Sequence, residues 1–527
     1  MSSNAMILFR KEGGRKMACN RRRAYRWWLP TLLIADAAVV AMAPSSALAA
    51  GLSGDTEECL ACHEEVTPGI VEDWRSSRHA NTSLADALAK PEIERRVSVA
   101  EVTEELMNVV VGCAECHMAR AESHPDTFDH AGLDVHTVVS PPDCARCHPV
   151  EVEEYSHNLM ANAYANLAEN PLYGTLVEAV NGVQSWDGER LIQHPSDALT
   201  DADSCFSCHG TKVEAGELVE RETMLGSMEF PELSGWPNQG VGRINPDGSK
   251  GACTACHTRH AFSIEMARKP YTCAQCHKGP DVPVYPVYMV SKHGNIFSSM
   301  KEKWDFDAVP WEAGEDFTAP TCATCHISLV TSAGDVVGQR THRMNDRLPW
   351  RLFGLIYAHP HPLSADTTII RNQAGLPLPT ELTGEPASKF LIDSAEQAVR
   401  EGRMRAVCSA CHTGQWIGGH FAKLDHTIET TNAMTATATK MMSTAWETAA
   451  AHGLAHQSSL FDEALEQRWS SQWLFYANST RFASAMGGAD YGVFANGRYS
   501  MSGKLREMSD WLEFLRVSKE KTTEEIE

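Results

Sequence analysis

The feature that most constrains this chain of 527 residues is a short motif, C-x-x-C-H, that occurs eight times. The eight copies use sixteen of the seventeen cysteines, and the remaining one, Cys19, lies near the N-terminus. Cysteine pairs at this spacing also bind zinc or form disulfides, but neither use requires a histidine directly after every pair. The motif is the attachment signature of c-type heme, whose iron binds the histidine. The sequence therefore predicts eight covalently attached hemes.

The motifs define the predicted attachment sites and the proximal iron ligands. The attachment cysteines are Cys59, Cys62, Cys113, Cys116, Cys144, Cys147, Cys205, Cys208, Cys253, Cys256, Cys273, Cys276, Cys322, Cys325, Cys408 and Cys411. The proximal histidines are His63, His117, His148, His209, His257, His277, His326 and His412.

The N-terminus has the pattern of an export signal. Residues 10–26 are rich in Lys and Arg, the apolar run "LPTLLIADAAVVAM" follows, and Ala47-Leu48-Ala49 fits a cleavage site. The run is shorter than the roughly 20 residues that a membrane helix needs, although an uncleaved anchor is the alternative interpretation. We expect residues 1–49 to be a signal peptide that is removed, which places the mature protein in the periplasm.

The charge of the mature chain limits its partners. Removal of the eight basic and two acidic residues of the signal peptide leaves 38 basic and 66 acidic residues, a net charge of −28. Such a surface disfavours nucleic acid and anionic membranes, and it favours a redox partner such as a small cytochrome c or a quinol-linked cytochrome. We expect no membrane span in the mature chain.

The distribution of proline divides the chain into two parts. All 25 prolines lie at or before Pro386, and the 141 residues that follow have a composition rich in helix-forming residues. We expect a mainly α protein with very little strand. Residues 50–425 are predicted to form the octaheme-binding region, and residues 426–527 a C-terminal bundle of long helices.

The histidines that remain after the motifs are assigned bear on function. An electron-carrying heme usually has a second axial ligand, whereas a heme that performs chemistry needs an open position. Fifteen of the 23 histidines lie outside the motifs, so their number alone leaves both uses open. His260 follows His257 in C-x-x-C-H-x-x-H and is poorly placed to reach the far side of its own iron. We therefore expect His260 to bind the iron of a neighbouring heme.

Several stretches around the motifs resemble the octaheme cytochromes of the hydroxylamine oxidoreductase family. They are "CTACHTRHAFS", "CAQCHKGPD" and "YMVSKHGN" between residues 253 and 295, and "ANSTRFASAMGGADYGVFANGRY" near the C-terminus. The resemblance implies a homotrimer of mostly helical subunits in which seven hemes with two axial ligands form an electron wire. It also implies that the heme attached at Cys205 and Cys208, with His209 below its iron, is open and catalytic.

The resemblance also implies the distal ligands. By motif context they are His79, His136, His157, His260, His293 and His342. The candidates for the seventh are His452, His456 and Met486.

Two departures from the family pattern concern the direction of catalysis. The oxidising members have an Asp-His pair after the sixth motif, where this chain has Asp281 followed by Val282. They also carry a C-terminal tyrosine that cross-links to the catalytic heme, where this chain aligns Ala495 or Asn496, with Tyr491 and Tyr499 nearby.

The departures favour reduction of nitrite, nitric oxide or hydroxylamine. Oxidation must remove protons from the substrate, and the missing imidazole is a suitable base for that task. Asp281 remains as a proton donor or relay. The alternatives are an enzyme that oxidises hydroxylamine or hydrazine, a non-catalytic electron conduit, and a reductase of a sulfur oxyanion.

Overall fold

Helices that begin at proline or at a serine cap dominate the N-terminal four-fifths of the chain. The computed structural model describes residues 51–224, 226–453 and 459–526; the predicted signal peptide, Cys19 and His456 lie outside these described residues. Proline is tolerated at the first helical position because that N–H has no partner within the helix. The helices of this part are Gly54–Val66, Pro68–Ser76, Arg78–Asn81, Leu84–Ala89, Glu104–Met107, Cys113–His117, Pro141–Cys144, Pro149–Ser156, Ala163–Ala168, Pro171–Asn181, Ala198–Asp203, Cys205–His209, Ile264–Arg268, Pro270–Ala274, Val284–Met289, Lys292–Met300 and Cys322–His326.

The proline-free C-terminal part forms longer helices, as predicted. The longest, Gly414–Glu447, has 34 residues and crosses the predicted boundary between residues 425 and 426, so the division at that point stays a prediction. About 49% of the chain is helical, which confirms the mainly α class. The helices of this part are Ser394–Ser409, Gly414–Glu447, Ala464–Ser471, Asn478–Met486, Ala489–Val493 and Arg498–Ile526, with a π-helical turn at Gln472–Ala477.

The strands are short, and most pair as hairpins. The longest hairpin lies between the fourth and fifth motifs. The antiparallel pairs are Thr127–His130 with Leu133–His136, Val183–Trp186 with Leu191–His194, Glu214–Thr223 with Gly226–Ser234, and Trp350–Arg351 with His359–Pro360. Trp311–Glu312 and Val330–Ser332 pair in parallel, and Asp335–Gly338 completes that sheet. Among the described residues, none of the helices combines the length and the hydropathy that a membrane span requires.

A buried arginine connects the C-terminal helices to the segment before them. Arg481 is fully buried, and burial lowers its pKa to about 9. Its guanidinium donates to Thr431 and Asn432 of the longest helix and to the Leu352 carbonyl oxygen. Asn432 also exchanges two hydrogen bonds with the Ala358 backbone. The C-terminal helices therefore fix the segment from residue 350 to residue 361.

A carboxyl group lies inside the largest apolar cluster, which these helices form. Glu466 is fully buried, and its Oε1 accepts a hydrogen bond of 2.9 Å from the Trp446 indole. Burial is the main cause that raises the pKa of Glu466 from 4.5 to about 7. Because the folded-state pKa is raised, the protonated form is favoured in the folded protein, and its stabilisation is lost as the pH rises through about 7.

Glu466→Gln should therefore flatten the dependence of stability on pH. Between pH 5 and pH 8 the wild-type holoprotein should lose about 2–3 kcal/mol of stability through this group, since each pKa unit corresponds to about 1.4 kcal/mol. The measurement is the thermal unfolding midpoint at several pH values. Glu447→Gln, at an exposed position on the helix that carries Trp446, is the control. Equal slopes in the wild type and Glu466→Gln would contradict the assignment.

Candidate multiheme redox site

Five of the eight motif histidines face a second histidine ring at almost the same distance. Two metal–nitrogen bonds of about 2 Å, together with the distance from each nitrogen to its ring centre, give a separation of about 6 Å. The repeated spacing therefore fits an iron atom between each pair of rings. The ring-centre distances are 6.1 Å for His63–His130 and His293–His412, and 6.4 Å for His79–His148, His117–His260 and His257–His342.

These pairs place His79, His260, His293 and His342 opposite motif histidines, the geometry that their predicted axial roles require. His260 lies opposite His117, which belongs to the second motif, and not opposite the histidine of its own motif. His130 lies opposite His63, a role that was not predicted from the sequence. Its only local signal is its place in the hairpin Thr127–His136, which also carries the predicted ligand His136.

The structure places three predicted axial ligands elsewhere. His136 lies behind His117, whose Nδ1 hydrogen-bonds the His136 carbonyl oxygen at 2.8 Å, and the His136 Nε2 hydrogen-bonds the Ala119 carbonyl oxygen. The ring of His157 is half exposed, and its Nδ1 hydrogen-bonds a backbone carbonyl of its own helix. The exposed ring of His452 pairs with Glu463. The His136 ring centre lies 6.1 Å from that of His117, but the hydrogen bond to the His136 carbonyl oxygen places it on the Nδ1 side of that imidazole. Hydrogen bonds hold the His157 and His452 rings away from the paired positions, and the axial roles of all three stay predictions.

Two further motif histidines, His277 and His326, face no described histidine ring at the 6 Å spacing. Two side chains that line the central cavity are available to these irons. His361 is buried, its Nδ1 has no hydrogen-bond partner, and His326 is among the groups that lower its pKa. Met486 packs against the segment that follows the sixth motif. His420 also lines the cavity, but it lies beyond Trp416 beside the paired His293 and His412. Of these side chains, only Met486 was predicted as an axial ligand.

One continuous cavity connects the eight motifs. Its volume is about 2470 Å³, well above the roughly 300–1,000 Å³ of a small-molecule pocket. Every motif contributes its histidine and at least one cysteine to the wall, and none of the described cysteines forms a disulfide. A chain that surrounds so large an apolar space fits a set of covalently held macrocycles, which would fill the space that core side chains otherwise occupy.

Contacts between cysteines of different motifs give the order of the hemes. Thiols of the first and second, third and fifth, fourth and sixth, and sixth and seventh motifs are the groups with the largest influence on each other's pKa, which places these motifs side by side. Cysteines of the second and third, fifth and sixth, and seventh and eighth motifs are close enough to affect each other's pKa. Seven motifs therefore form a continuous row, and the fourth motif branches from it at the sixth.

The surroundings of His209, in the fourth motif, differ from those of the paired histidines. Its Nδ1 hydrogen-bonds the Ala163 carbonyl oxygen at 3.3 Å, which directs Nε2 away from that carbonyl. Burial lowers the pKa of His209, Arg351 also lowers it, and Asp281 acts in the opposite direction. Asp281, Arg351 and Tyr173 line the cavity together with His209. Neither Arg351 nor Tyr173 was found by sequence reasoning, because each is a single residue outside any motif.

The two C-terminal tyrosines, Tyr491 and Tyr499, lie outside the cavity that holds His209. Tyr491 packs beside Val287 and Phe482, and its carbonyl oxygen accepts a hydrogen bond from Ser479. Tyr499 is 71% exposed and its ring contacts that of Phe494. Neither lines the cavity of its own chain.

The motifs, the histidine pairs and the cavity define a multiheme cytochrome c. Residues 239–351 match the family "Seven times multi-haem cytochrome CxxCH", and residues 58–135 and 143–228 match "Cytochrome c554 and c-prime". A solved structure titled "Hypothetical multiheme protein" is 40% identical with a TM-score of 0.84, and the match covers 90% of this chain and 98% of that one. The chain belongs to the multiheme cytochromes c, and its resemblance to the hydroxylamine oxidoreductase family is confirmed.

Two proteins of Kuenenia stuttgartiensis are also similar. A "Probable nitrite reductase-hydroxylamine oxidoreductase fusion protein" is 28% identical over 390 residues, and this chain spans only 35% of its length. The match covers 70% of this chain. A structure titled "reducing HAO-like protein complex" has a TM-score of 0.56 at 19% identity over 89% of this chain and 87% of that one, which shows a shared fold.

The ring pairs make His130 and His157 a matched test of axial ligation. His130→Ala should leave the iron above His63 without its second imidazole and add one high-spin heme to the electron paramagnetic resonance spectrum. His157→Ala should leave the spectrum unchanged, because its ring faces no motif histidine. Intact mass should show the full heme complement in both variants. A new high-spin heme in His157→Ala, or none in His130→Ala, would contradict the pairing.

Proposed function

We propose that this chain is an exported octaheme cytochrome c that reduces a small nitrogen compound at the heme attached at Cys205 and Cys208. Three motif histidines, His209, His277 and His326, face no described histidine ring, and the observation that carries the proposal is that charged side chains of both signs act on His209. The cavity wall that includes His209 also carries the acid Asp281, the cation Arg351 and the phenol Tyr173. The names of the Kuenenia proteins support nitrogen compounds as the substrate class.

The side chains near His209 suit a reduction that consumes protons. The heme at this site supplies an iron that binds the substrate and passes electrons to it. Asp281 supplies or relays protons, and Asn478 fixes its backbone by donating to the Asp281 carbonyl oxygen at 3.0 Å. The rings of Phe353 and Phe482, 6.2 Å apart, line the same cavity and limit the access of water. Val282 leaves the site without the imidazole base that an oxidation would use.

The remaining hemes carry electrons along the row of motifs to the branch. Hemes with two imidazole ligands keep their coordination when the iron changes charge, which suits electron transfer. The acidic mature chain favours a cationic donor such as a small cytochrome c, or a quinol-linked cytochrome, in the periplasm. The solved Kuenenia relative is titled as a complex, which supports a partner for this chain. We propose a homotrimer, following the family resemblance.

Two other functions have different requirements. A pure electron conduit needs a second strong ligand on the iron above His209, and it would show no high-spin heme that binds small molecules. A hydroxylamine-oxidising enzyme needs a proton acceptor, and Asp281 is the acid that lines the cavity near His209.

Steady-state assays in both directions test the proposal. The holoprotein should carry eight hemes by intact mass and should reduce nitrite or hydroxylamine with a reduced viologen. This rate should exceed the rate at which it oxidises hydroxylamine with oxidised cytochrome c. Faster oxidation, together with a tyrosine–heme peptide adduct, would overturn the reductive assignment.

Asp281→Asn tests the proton-donating role. Removal of a positioned acid should lower the reductive kcat about 10²- to 10⁴-fold, the usual contribution of general acid–base catalysis. The substitution should leave the heme content unchanged. Asp335→Asn, in an exposed hairpin, is the control and should keep the wild-type rate. An Asp281→Asn variant with wild-type kcat would remove Asp281 from the mechanism.

A further inference from the structure

A buried cluster of two histidines and two aspartates lies beside the second heme motif, where His117 Nδ1 hydrogen-bonds the His136 carbonyl oxygen. Its members, His124, Asp126, His136 and Asp143, are at most 6% exposed. The rings of His124 and His136 stack with their centres 3.7 Å apart. One ligand atom each of His124, His136 and Asp143 lies within 4.8 Å of the other two. Imidazole and carboxylate groups are the ligands that zinc and similar transition metals take.

Each imidazole of the cluster has one nitrogen turned to an acceptor. His136 Nε2 donates to the Ala119 carbonyl oxygen at 3.0 Å, so Nδ1 carries the lone pair. This Nδ1 is buried and has no hydrogen-bond partner. His124 Nδ1 faces the Asp126 carboxylate at 3.5 Å, which leaves Nε2 for a ligand. Metal-binding histidines are oriented in the same way, by a carbonyl or carboxylate oxygen on the nitrogen that does not bind the metal.

Backbone and hydroxyl donors hold the two carboxylates in place. Asp126 Oδ2 accepts hydrogen bonds from the first two backbone N–H groups after His136. Asp143 Oδ2 accepts from both the N–H and the hydroxyl of Ser140. The other oxygen of Asp143, Oδ1, lies 3.2 Å from His124 Nε2. This spacing fits two ligands of one tetrahedral zinc, which lie about 3.4 Å apart when each bond is about 2.1 Å.

The cluster also holds an excess of buried negative charge. The side chains of Asp126, Asp143 and Asp247 are at most 3% exposed. Among the described lysines and arginines, only Arg120 forms ion pairs with them, at 3.3 Å to Asp143 and 3.7 Å to Asp247. With neutral imidazoles, three carboxylates and one guanidinium leave a net charge of −2. A buried charge without a counter-charge is costly, and a divalent cation would cancel this one.

We propose that His124 Nε2, His136 Nδ1 and Asp143 Oδ1 bind a divalent transition-metal ion of the zinc type, at a site separate from the heme irons. Two imidazoles and one carboxylate are a known zinc ligand set, and water completes the tetrahedron. The proposal does not depend on the reaction at the fourth motif.

The ion connects three segments near the second motif. His124 precedes the hairpin formed by the first two strands, His136 ends that hairpin, and Asp143 lies in the helix Pro141–Cys144. The same hairpin carries His130, whose ring faces the histidine of the first motif. The metal therefore fixes the segment that supplies this second imidazole.

Two other arrangements make different demands. If a proton took the place of the metal, His124 would be an imidazolium between Asp126 and Asp143, and the protein would bind no zinc. If His136 were an axial heme ligand, as its motif context predicts, its removal would change the spin state of a heme.

The test measures the zinc that the holoprotein retains. The purified protein is stripped with phenanthroline, returned to zinc, passed through gel filtration and analysed by mass spectrometry of its metals. The wild type should keep one zinc ion per chain, and His124→Gln and Asp143→Asn should keep none while intact mass shows an unchanged heme content. His194→Gln, at an exposed histidine that hydrogen-bonds Ser185, is the control and should keep the zinc. A wild type without zinc, or variants that keep it, would overturn the proposal.

Two further readouts address the ligands directly. Zinc-edge X-ray absorption of the wild type, which needs no variant, should show nitrogen and oxygen neighbours at about 2.0–2.2 Å and the scattering pattern of two imidazoles. Sulfur neighbours at about 2.3 Å, or a shell without imidazole, would overturn the proposal. His136→Gln should lose zinc without adding a high-spin heme to the electron paramagnetic resonance spectrum. A new high-spin heme in that variant would assign His136 to a heme iron and overturn the proposal.

Discussion

The structure depends on the spacing between two imidazole rings that face each other across an iron position. Five such pairs have ring centres 6.1–6.4 Å apart, and each joins parts of the chain that are distant in sequence. The pair His293–His412 connects a short helix of the middle of the chain to the start of the C-terminal helices. Without the hemes, little would hold the short helices and hairpins of the first four-fifths together, because much of the interior is cavity. The iron–histidine bonds thus act as long-range cross-links.

The dependence of the fold on heme ligation explains which parts of the fold and of the site could be predicted from the sequence. The eight attachment sites are contained in five consecutive residues each, so they can be recognised without the fold. The long C-terminal helices follow from 141 residues without proline, and the structure confirms them. The second axial ligands are single histidines without a local pattern. His130 and His136 lie in one hairpin and each ring lies 6.1 Å from a motif histidine, but the carbonyl oxygen of His136 is hydrogen-bonded to His117 Nδ1, a difference that only the folded chain shows.

The surroundings of His209 were still harder to predict, because they come from four distant segments. Tyr173, Asp281, Arg351 and the helix with Asn478 meet only in the folded chain. The buried Arg481 and Asn432 hold the segment that carries Arg351. Arg243 presents the same difficulty. It lies outside any motif, yet it is buried over the Trp236 ring and donates to Asn245 and to the Asn238 carbonyl oxygen.

The contrast between the row of motifs and its branch separates two physical tasks. At five of the seven iron positions of the row, paired imidazoles keep the same ligands in both charge states, so electron transfer requires little rearrangement there. A site that performs chemistry has the opposite requirement, because charge and protons must be accommodated as bonds change. Charged groups act on the fourth motif accordingly, since Asp281 raises and Arg351 lowers the pKa of His209. Because that motif contacts the row at the sixth motif, a change in its ligand would not interrupt the path between the two ends.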